Sequence, residues 1–381
     1  MSKPSTQFFD WLAHDALPLW STLGVDRQHG GFIERLDPKG TPISDTRRAR
    51  VVARQIYAFH TAQEIGWQGP SEELVRHGLK ALLDHHISAD NIAIPSYIPA
   101  DGRYEGGFDL YDQAFVLLGL NYAAQCLSEP SLEARAQTIV LRMRDGWQHP
   151  LGGFQEAVGI PLKANPHMHL LEAALAWSAK SSATIWRDLA KEIAELCLTH
   201  FLANETGALH EIFDNQWQIC SDRQLDVVEP GHQAEWAWLL LRWDRQNKSR
   251  RSKSAALRLL QIAEGPGRSG EHLKLINELH PTLTPRWSFM RLWPQTERIK
   301  ALILFAEETE SHTERRHLED RTDEAIRSLL EYFDHPIAGS WWEHIDKNGA
   351  PVSEPARASS LYHIMGAASE ISRHTGLGLP T

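Results

Sequence analysis

A helix-opening signature recurs along this chain at near-constant spacing, and few architectures accommodate such a repeat. Asp45-Thr-Arg, Asp109-Leu-Tyr-Asp-Gln, Asn165-Pro166, Glu229-Pro230, Trp293-Pro294 and Glu354-Pro355 each precede a mostly apolar run. Proline is tolerated at the first helical position, because the N–H it lacks has no intrahelical partner there. An aspartate such as Asp109 caps the free N–H groups of a first turn. The intervals between openings are 64, 56, 64, 64 and 61 residues. Each interval leaves room for one further helix. Residues 5–23, 70–87, 132–147, 184–201, 252–264 and 315–333 are the candidates, most of them with apolar side chains at i, i+3 and i+4. A period of this size is the mark of repeated helical hairpins.

A second repeat accompanies the first. Gly30-Gly-Phe-Ile-Glu-Arg-Leu-Asp-Pro-Lys-Gly-Thr-Pro42 resembles Gly339-Ser-Trp-Trp-Glu-His-Ile-Asp-Lys-Asn-Gly-Ala-Pro351, with shorter echoes at Gly152–Glu156 and Gly207–Asp214. Alternating apolar residues followed by an Asp/Asn/Gly turn predict short β-hairpins, each placed just before a helix opening. Six helical hairpins with such loops gathered at one end describe an all-α fold, an (α/α)6 barrel. The inner helix N-termini then ring one pocket. No linker or low-complexity segment divides the chain, so residues 1–381 are expected to form a single catalytic domain, although 381 residues exceed the usual size of one core.

Composition excludes several function classes. A net charge of −10 without a basic stripe argues against a nucleic-acid partner. No apolar run approaches membrane-spanning length, and Met1–Trp20 lacks the apolar segment of a secretory signal. Cys126, Cys197 and Cys220 are odd in number and scattered, which fits a reducing compartment. The expectation is a cytoplasmic protein. Fourteen tryptophans and 20 histidines are more than ordinary usage, and aromatic side chains that cannot all be core often stack on sugar rings.

Side chains near the openings are unevenly polar: Arg54, Tyr111, Asp112, Asn165, His169, His232, Glu235, Trp293, Glu297 and His363. His232 and Glu235, three residues apart, share one helix face. The positive end of the helix dipole disfavours imidazolium at His232 and leaves a neutral base, unless Glu235 opposes it. Bland readings stand beside these: Asp112 and Glu297 as capping residues, His363 as a hydrogen-bonded core histidine, Trp293 as packing. Arg54, on a mostly apolar helix, is harder to dismiss, since a buried arginine needs an anionic or hydroxyl-rich partner. His167 and His169 point to different faces, and no third ligand has metal-site spacing; His232-x-x-Glu235 lacks the zinc-hydrolase pattern. No metal and no cofactor are expected.

Six motifs in order resemble the N-acylglucosamine 2-epimerase superfamily over essentially the whole chain. They are Arg54-Gln-Ile-Tyr-Ala-Phe59, Asp109–Phe115, Asn165-Pro-His-Met-His-Leu-Leu-Glu-Ala173, Pro230-Gly-His-Gln-Ala-Glu-Trp236, Leu292-Trp-Pro-Gln-Thr-Glu297 with Lys300-Ala301, and Tyr362-His363. The resemblance implies an (α/α)6 barrel that isomerises or epimerises unmodified sugars without a metal, and among its branches the aldose–ketose isomerases that interconvert D-mannose and D-fructose, with D-lyxose and D-xylulose as a further pair. It makes His363 the base that moves a proton between C2 and C1 through a cis-enediol. His232 opens the ring and shuttles the hydroxyl proton, with Glu235 orienting it, and Arg54 stabilises the enediolate. Tyr111, Asn165, His169, Trp293 and Glu297 hold hydroxyl groups, joined by Arg223. The partner is then a monosaccharide, and the protein a monomer or homodimer.

The same histidines suit a 2-epimerase, and Trp341-Trp342 could provide the aromatic platform that a second sugar ring needs. A glycoside hydrolase needs two carboxylates about 5–10 Å apart, for which Asp112, Glu235 and Glu297 are available. A non-catalytic sugar-binding toroid is the remaining class, and it would bind mannose without turnover.

Overall fold

The computed structural model describes residues 2–43, 46–156, 159–220, 222 and 226–380. Its helices, in chain order, are α1 (3–22, with a π-helical turn Leu12–Ala16), α2 (Ala49–Glu64), α3 (Ser71–His85), α4 (Leu110–Leu127), α5 (Ser131–Trp147) and α6 (Ala164–Ser178). There follow α7 (184–201, ending in the π turn Cys197–Phe201), α8 (Pro230–Asn247), α9 (Arg250–Glu264), α10 (Leu292–Glu308), α11 (312–333, ending in a 3-10 turn) and α12 (Ala358–Thr375). The even-numbered helices form an inner ring in which each packs on the next and α12 packs back on α2. The odd-numbered ones lie outside. This is the expected (α/α)6 barrel.

The two layers differ as their surroundings demand. Helix α11 meets water on most of its surface and buries only Thr322, Ala325, Ile326, Ser328 and Leu329, with Tyr332 and Phe333 in its last turn. Helix α4 is covered by neighbours on several sides and buries every residue from Asp112 to Asn121. An amphipathic stripe therefore survives only in the outer layer. No helix among the described residues is long and apolar enough to cross a membrane.

Four of the anticipated openings fall within one residue of a helix start, and Asp109 caps α4 by accepting from the Asp112 N–H. Helices α2 and α12 start later than the openings imply, at Ala49 and Ala358. Residues 47–48 and 356–357 are first drawn into short strands, paired with 96–97 and 35–36. Asp45 itself lies outside the described residues.

The strands link neighbouring units. Residues 162–163 pair with 212–213, 290–291 with 344–345, and 356–357 with 35–36, so the last unit is stitched to the first. Backbone donors at the helix starts, which have no partner within the helix, are satisfied across these seams. Ala164 N–H donates to the Glu211 carbonyl, Leu292 N–H to that of Glu343, and Ala358 N–H to that of Glu34. A second device fixes the first turn of four of the six inner helices. Gln113, Gln233 and Gln295 each clasp both backbone groups of one loop residue: Ala93, Leu209 and Leu275. In α6 this place belongs to His167, whose Nε2 accepts the Phe154 N–H at 3.0 Å while its Nδ1 lies 2.8 Å from the Lys163 carbonyl.

The turns at Gly40 and Gly349 are as anticipated, with φ of +82° and +85° that a side chain would resist. Gly207–Asp214 leads into a third such turn. Gly152–Glu156 carries only a bridge from Gln148 to Phe154. A further hairpin, from Glu278 to Trp287, was not anticipated. Its positive-φ residue is Leu283 at +63°, as Trp217 at +57° is in the turn after Asp214, where Gly40 and Gly349 stand in the other two.

Candidate active site

The ring of inner helix starts encloses a cavity of about 210 Å³ lined by Arg54, Tyr111, Asn165, His169, His232, Glu235, Trp293 and His363. Eight of the ten residues expected to act thus meet in one place. Glu297 does not line it, and Arg223 lies outside the described residues.

His363, on α12, is buried with its Nδ1 2.8 Å from Glu297 Oε1. The other Glu297 oxygen sits 2.6 Å from Lys300 Nζ, so the carboxylate orients the imidazole and is itself neutralised. Glu297 was expected to hold a sugar hydroxyl. Full burial and these two partners give it the task of positioning His363 instead. Burial pushes the His363 pKa down to about 4, against the pull of Glu297. The ring is neutral at pH 7, with Nδ1–H donated to Glu297 and the Nε2 lone pair free.

His232 is the opposite case. Its Nδ1 lies 2.9 Å from Glu211 Oε1 and 3.9 Å from Glu229 Oε2. Burial lowers its pKa, but the charges of Glu211 and Glu229 outweigh burial and raise it to about 9. The neutral base expected from the helix dipole is therefore corrected to an imidazolium: two carboxylates at contact distance exceed a partial charge of about half a unit. Orientation of this ring also passes from Glu235 to Glu211. Glu229 is in turn held by Arg291, 2.6 Å away.

Glu211 was missed because it lies 21 residues before His232. The signal that could have found it is the hairpin repeat, which carries a glutamate at matching places: Glu34, Glu211 and Glu343. Glu34 and Glu343 accept the N–H of Arg48 and Arg357, just before an inner helix. In the fourth unit the same acid takes an imidazole.

Glu235 lines the cavity with both carboxyl oxygens buried and unpartnered. Burial, then the charge of Glu297, pushes its pKa well above the usual range, so it is a neutral acid. His169 bonds Glu172 at 3.2 Å and, held down to about 4 by burial, is neutral. Tyr362 donates its hydroxyl to the same Glu172. Asn165 presents an unpartnered Oδ1. Arg54 donates to Tyr111 Oη at 2.6 Å, lies 4.1 Å over the Phe115 ring, and leaves its Nε without an acceptor. Trp293 stands between the two catalytic candidates, 4.9 Å from the His232 ring and 5.6 Å from that of His363. Gly231 is required beneath it, since a Cβ there would come within 2.6 Å of the indole.

Asp112 points away from the cavity and binds the N–H and guanidinium of Arg50, the bland reading of that residue. Trp341 is fully buried and stacked on Trp20, Trp342 donates to the Asp334 carbonyl, and neither lines the cavity.

Two donor sets come together that sequence spacing did not reveal: His169–Glu172–Glu235 and Glu235–Glu297–His363, each with ligand atoms within 4.8 Å. Lys300 already supplies a cation there, 2.6 Å from Glu297. Exhaustive chelation is expected to leave turnover unchanged. Activity lost to a chelator and restored by a divalent ion would assign a metal to one of these sets.

The model of the family described as N-acylglucosamine 2-epimerase (GlcNAc 2-epimerase) matches residues 31–367. A protein named mannose-6-phosphate isomerase from Rhizobium meliloti (strain 1021) is 38% identical over 368 residues, covering 95% of each chain. One named D-mannose isomerase from Marinomonas mediterranea is 24% identical, covering 90% of this chain and 91% of the relative. The crystal structure of a D-mannose isomerase superposes with a TM-score of 0.87 at 22% identity, covering 98% and 99% of the two chains, and shares the fold. The chain belongs to the N-acylglucosamine 2-epimerase family and is a sugar isomerase or epimerase.

Proposed function

We propose that this pocket interconverts D-mannose and D-fructose. The observation that carries the reading is the pair of imidazoles facing one cavity in opposite protonation states. Isomerisation needs a neutral base to take a carbon-bound proton and a separate acid to serve the oxygens. In the open-chain aldose, His363 Nε2 removes the C2 proton, and the electron pair moves into the C1–C2 bond and onto O1. Arg54 stabilises the resulting enediolate. His232 protonates O1 and then takes the proton from O2, while His363 returns its proton to C1. Protons and charge balance, and each histidine ends as it began. Glu235, as a neutral acid, donates to a sugar hydroxyl; Tyr111, Asn165, His169 and Trp293 fix the remainder of the chain.

This division of labour predicts the pH profile. Turnover is expected to fall as pH drops through about 4, where His363 gains a proton, and as pH rises through about 9, where His232 loses one. Because the folded pKa of His232 is raised, its pairing with Glu211 also stabilises the fold below the ordinary imidazole pKa, and this contribution disappears as pH rises through about 9. Glu211→Gln is expected to move the alkaline limb to lower pH and leave the acid limb in place. An unmoved alkaline limb would detach His232 from that step.

The direct test is proton NMR of the protein with D-mannose in D2O. Fructose formation with deuterium at C1 or C2 supports the isomerase. Glucose as the only product makes the enzyme a 2-epimerase, and absence of any product removes the mannose assignment.

A further inference from the structure

Beside the catalytic cavity lies a second chamber of about 610 Å³. The two share Arg54, Tyr111, Arg357 and Ser359 as a common wall, so a ligand longer than a hexose can occupy both. The outer chamber is also lined by Arg48 and Arg50. This is a concentration of guanidinium groups in a protein whose net charge is −10.

The arginines are layered in one sense. Arg48 is 42% exposed, and its partner Glu34, at 2.6 Å, is 2% exposed. Arg50 is 24% exposed and Asp112, at 2.8 Å, is fully buried. Arg357 is half exposed, with Glu354 at 3.7 Å and better covered. In these three pairs the carboxylate is the better covered partner; Asp109, 3.6 Å from Arg50 and 33% exposed, is the exception. Salt bridges formed only for stability have no reason to share this orientation. Two donors remain without acceptors: the buried Nε atoms of Arg50 and Arg54. Arg54 is 6% exposed and no carboxylate among the described residues pairs with it. Two carboxylates also line the chamber: Glu34, held by Arg48, and Glu105, an exposed residue within 3.3 Å of Arg103.

Convergent guanidinium forks with unspent donors match the oxygens of a phosphate monoester, which accepts several charge-assisted hydrogen bonds from different directions. We propose that the outer chamber is an anion subsite that binds the phosphate of a sugar phosphate whose carbonyl end lies between His232 and His363. This rests on the isomerase reading for the inner cavity and extends its substrate class from free to phosphorylated monosaccharides.

The experiment has two arms. In the first, inorganic phosphate is titrated into the protein at low salt and followed by calorimetry. Binding is expected, weakened about tenfold or more in Arg357→Gln, which removes one charged fork from an exposed position. The double variant Glu34→Gln/Arg48→Gln removes a second cation together with its buried partner, and the same weakening is expected. In the second arm, kcat/KM is compared for D-mannose and D-mannose 6-phosphate. The wild type is expected to favour the phosphate ester by about tenfold or more, and Glu34→Gln/Arg48→Gln, whose two positions do not line the catalytic cavity, to erase that preference while changing mannose turnover less than about twofold. No phosphate binding, or binding unchanged in both variants, overturns the subsite. Binding that weakens in the variants without any preference for the phosphorylated sugar leaves a site for free phosphate only and overturns the substrate assignment. If neither sugar is turned over, the isomerase reading fails, and the first arm still decides whether the chamber holds an anion.

Discussion

Replacing His363 with alanine is expected to lower kcat by about a hundred- to ten-thousandfold, the usual contribution of a positioned general base. The side chain offers one neutral Nε2, because Nδ1 is committed to Glu297 at 2.8 Å. The change should barely affect thermal unfolding. Glu297 keeps Lys300 at 2.6 Å, so no carboxylate is left uncompensated in the core. Rate and stability are read separately, by deuterium incorporation from D2O and by the unfolding midpoint. Activity retained within about tenfold, with the fold intact, would refute the assignment of His363 as the base.

Arg54→Lys is expected to be nearly as damaging, with a loss of about a hundred- to a thousandfold, the range seen when one oxyanion donor is removed. Charge is conserved in this variant, so the test isolates geometry. The guanidinium is planar and held flat over Phe115 at 4.1 Å, with Tyr362 at 5.2 Å, while one edge donates to Tyr111. An ammonium cannot fill that slot and still present a fork to two oxygens. A near-wild-type rate would move Arg54 from the reaction to the packing of the inner ring.

How much of this was legible beforehand depended on how far each cause lay along the chain. The outer helices are within a few residues of their apolar spacing, since an amphipathic stripe is written locally: residues 71–85, 131–147 and 250–264 against expected spans of 70–87, 132–147 and 252–264. The starts of α2 and α12 were read too early, because strand pairing with a neighbouring unit claims residues 47–48 and 356–357 first. The pocket residues were identifiable from their places near helix openings. Their protonation was not, because it depends on partners supplied from elsewhere: Glu211 through a hairpin, and Glu297 from a helix 66 residues before His363. Glu235 was assigned to the wrong histidine for the same reason. Sequence proximity put it beside His232, whereas three dimensions leave its oxygens unpartnered and 3.9 Å from His169.

The seam between the last unit and the first has a consequence for how the chain comes into being. The indole of Trp20 donates to the carbonyl of Gly339 across 319 residues, and Arg35–Leu36 pair with Ala356–Arg357. Contacts of such separation carry a large loop-closure cost and form slowly. Arg54 and His363 stand on either side of this seam, on the first and last inner helices. On the proposed mechanism, a chain still emerging from the ribosome therefore has one half of the proton-transfer apparatus without the other. Turnover would then appear only with ring closure.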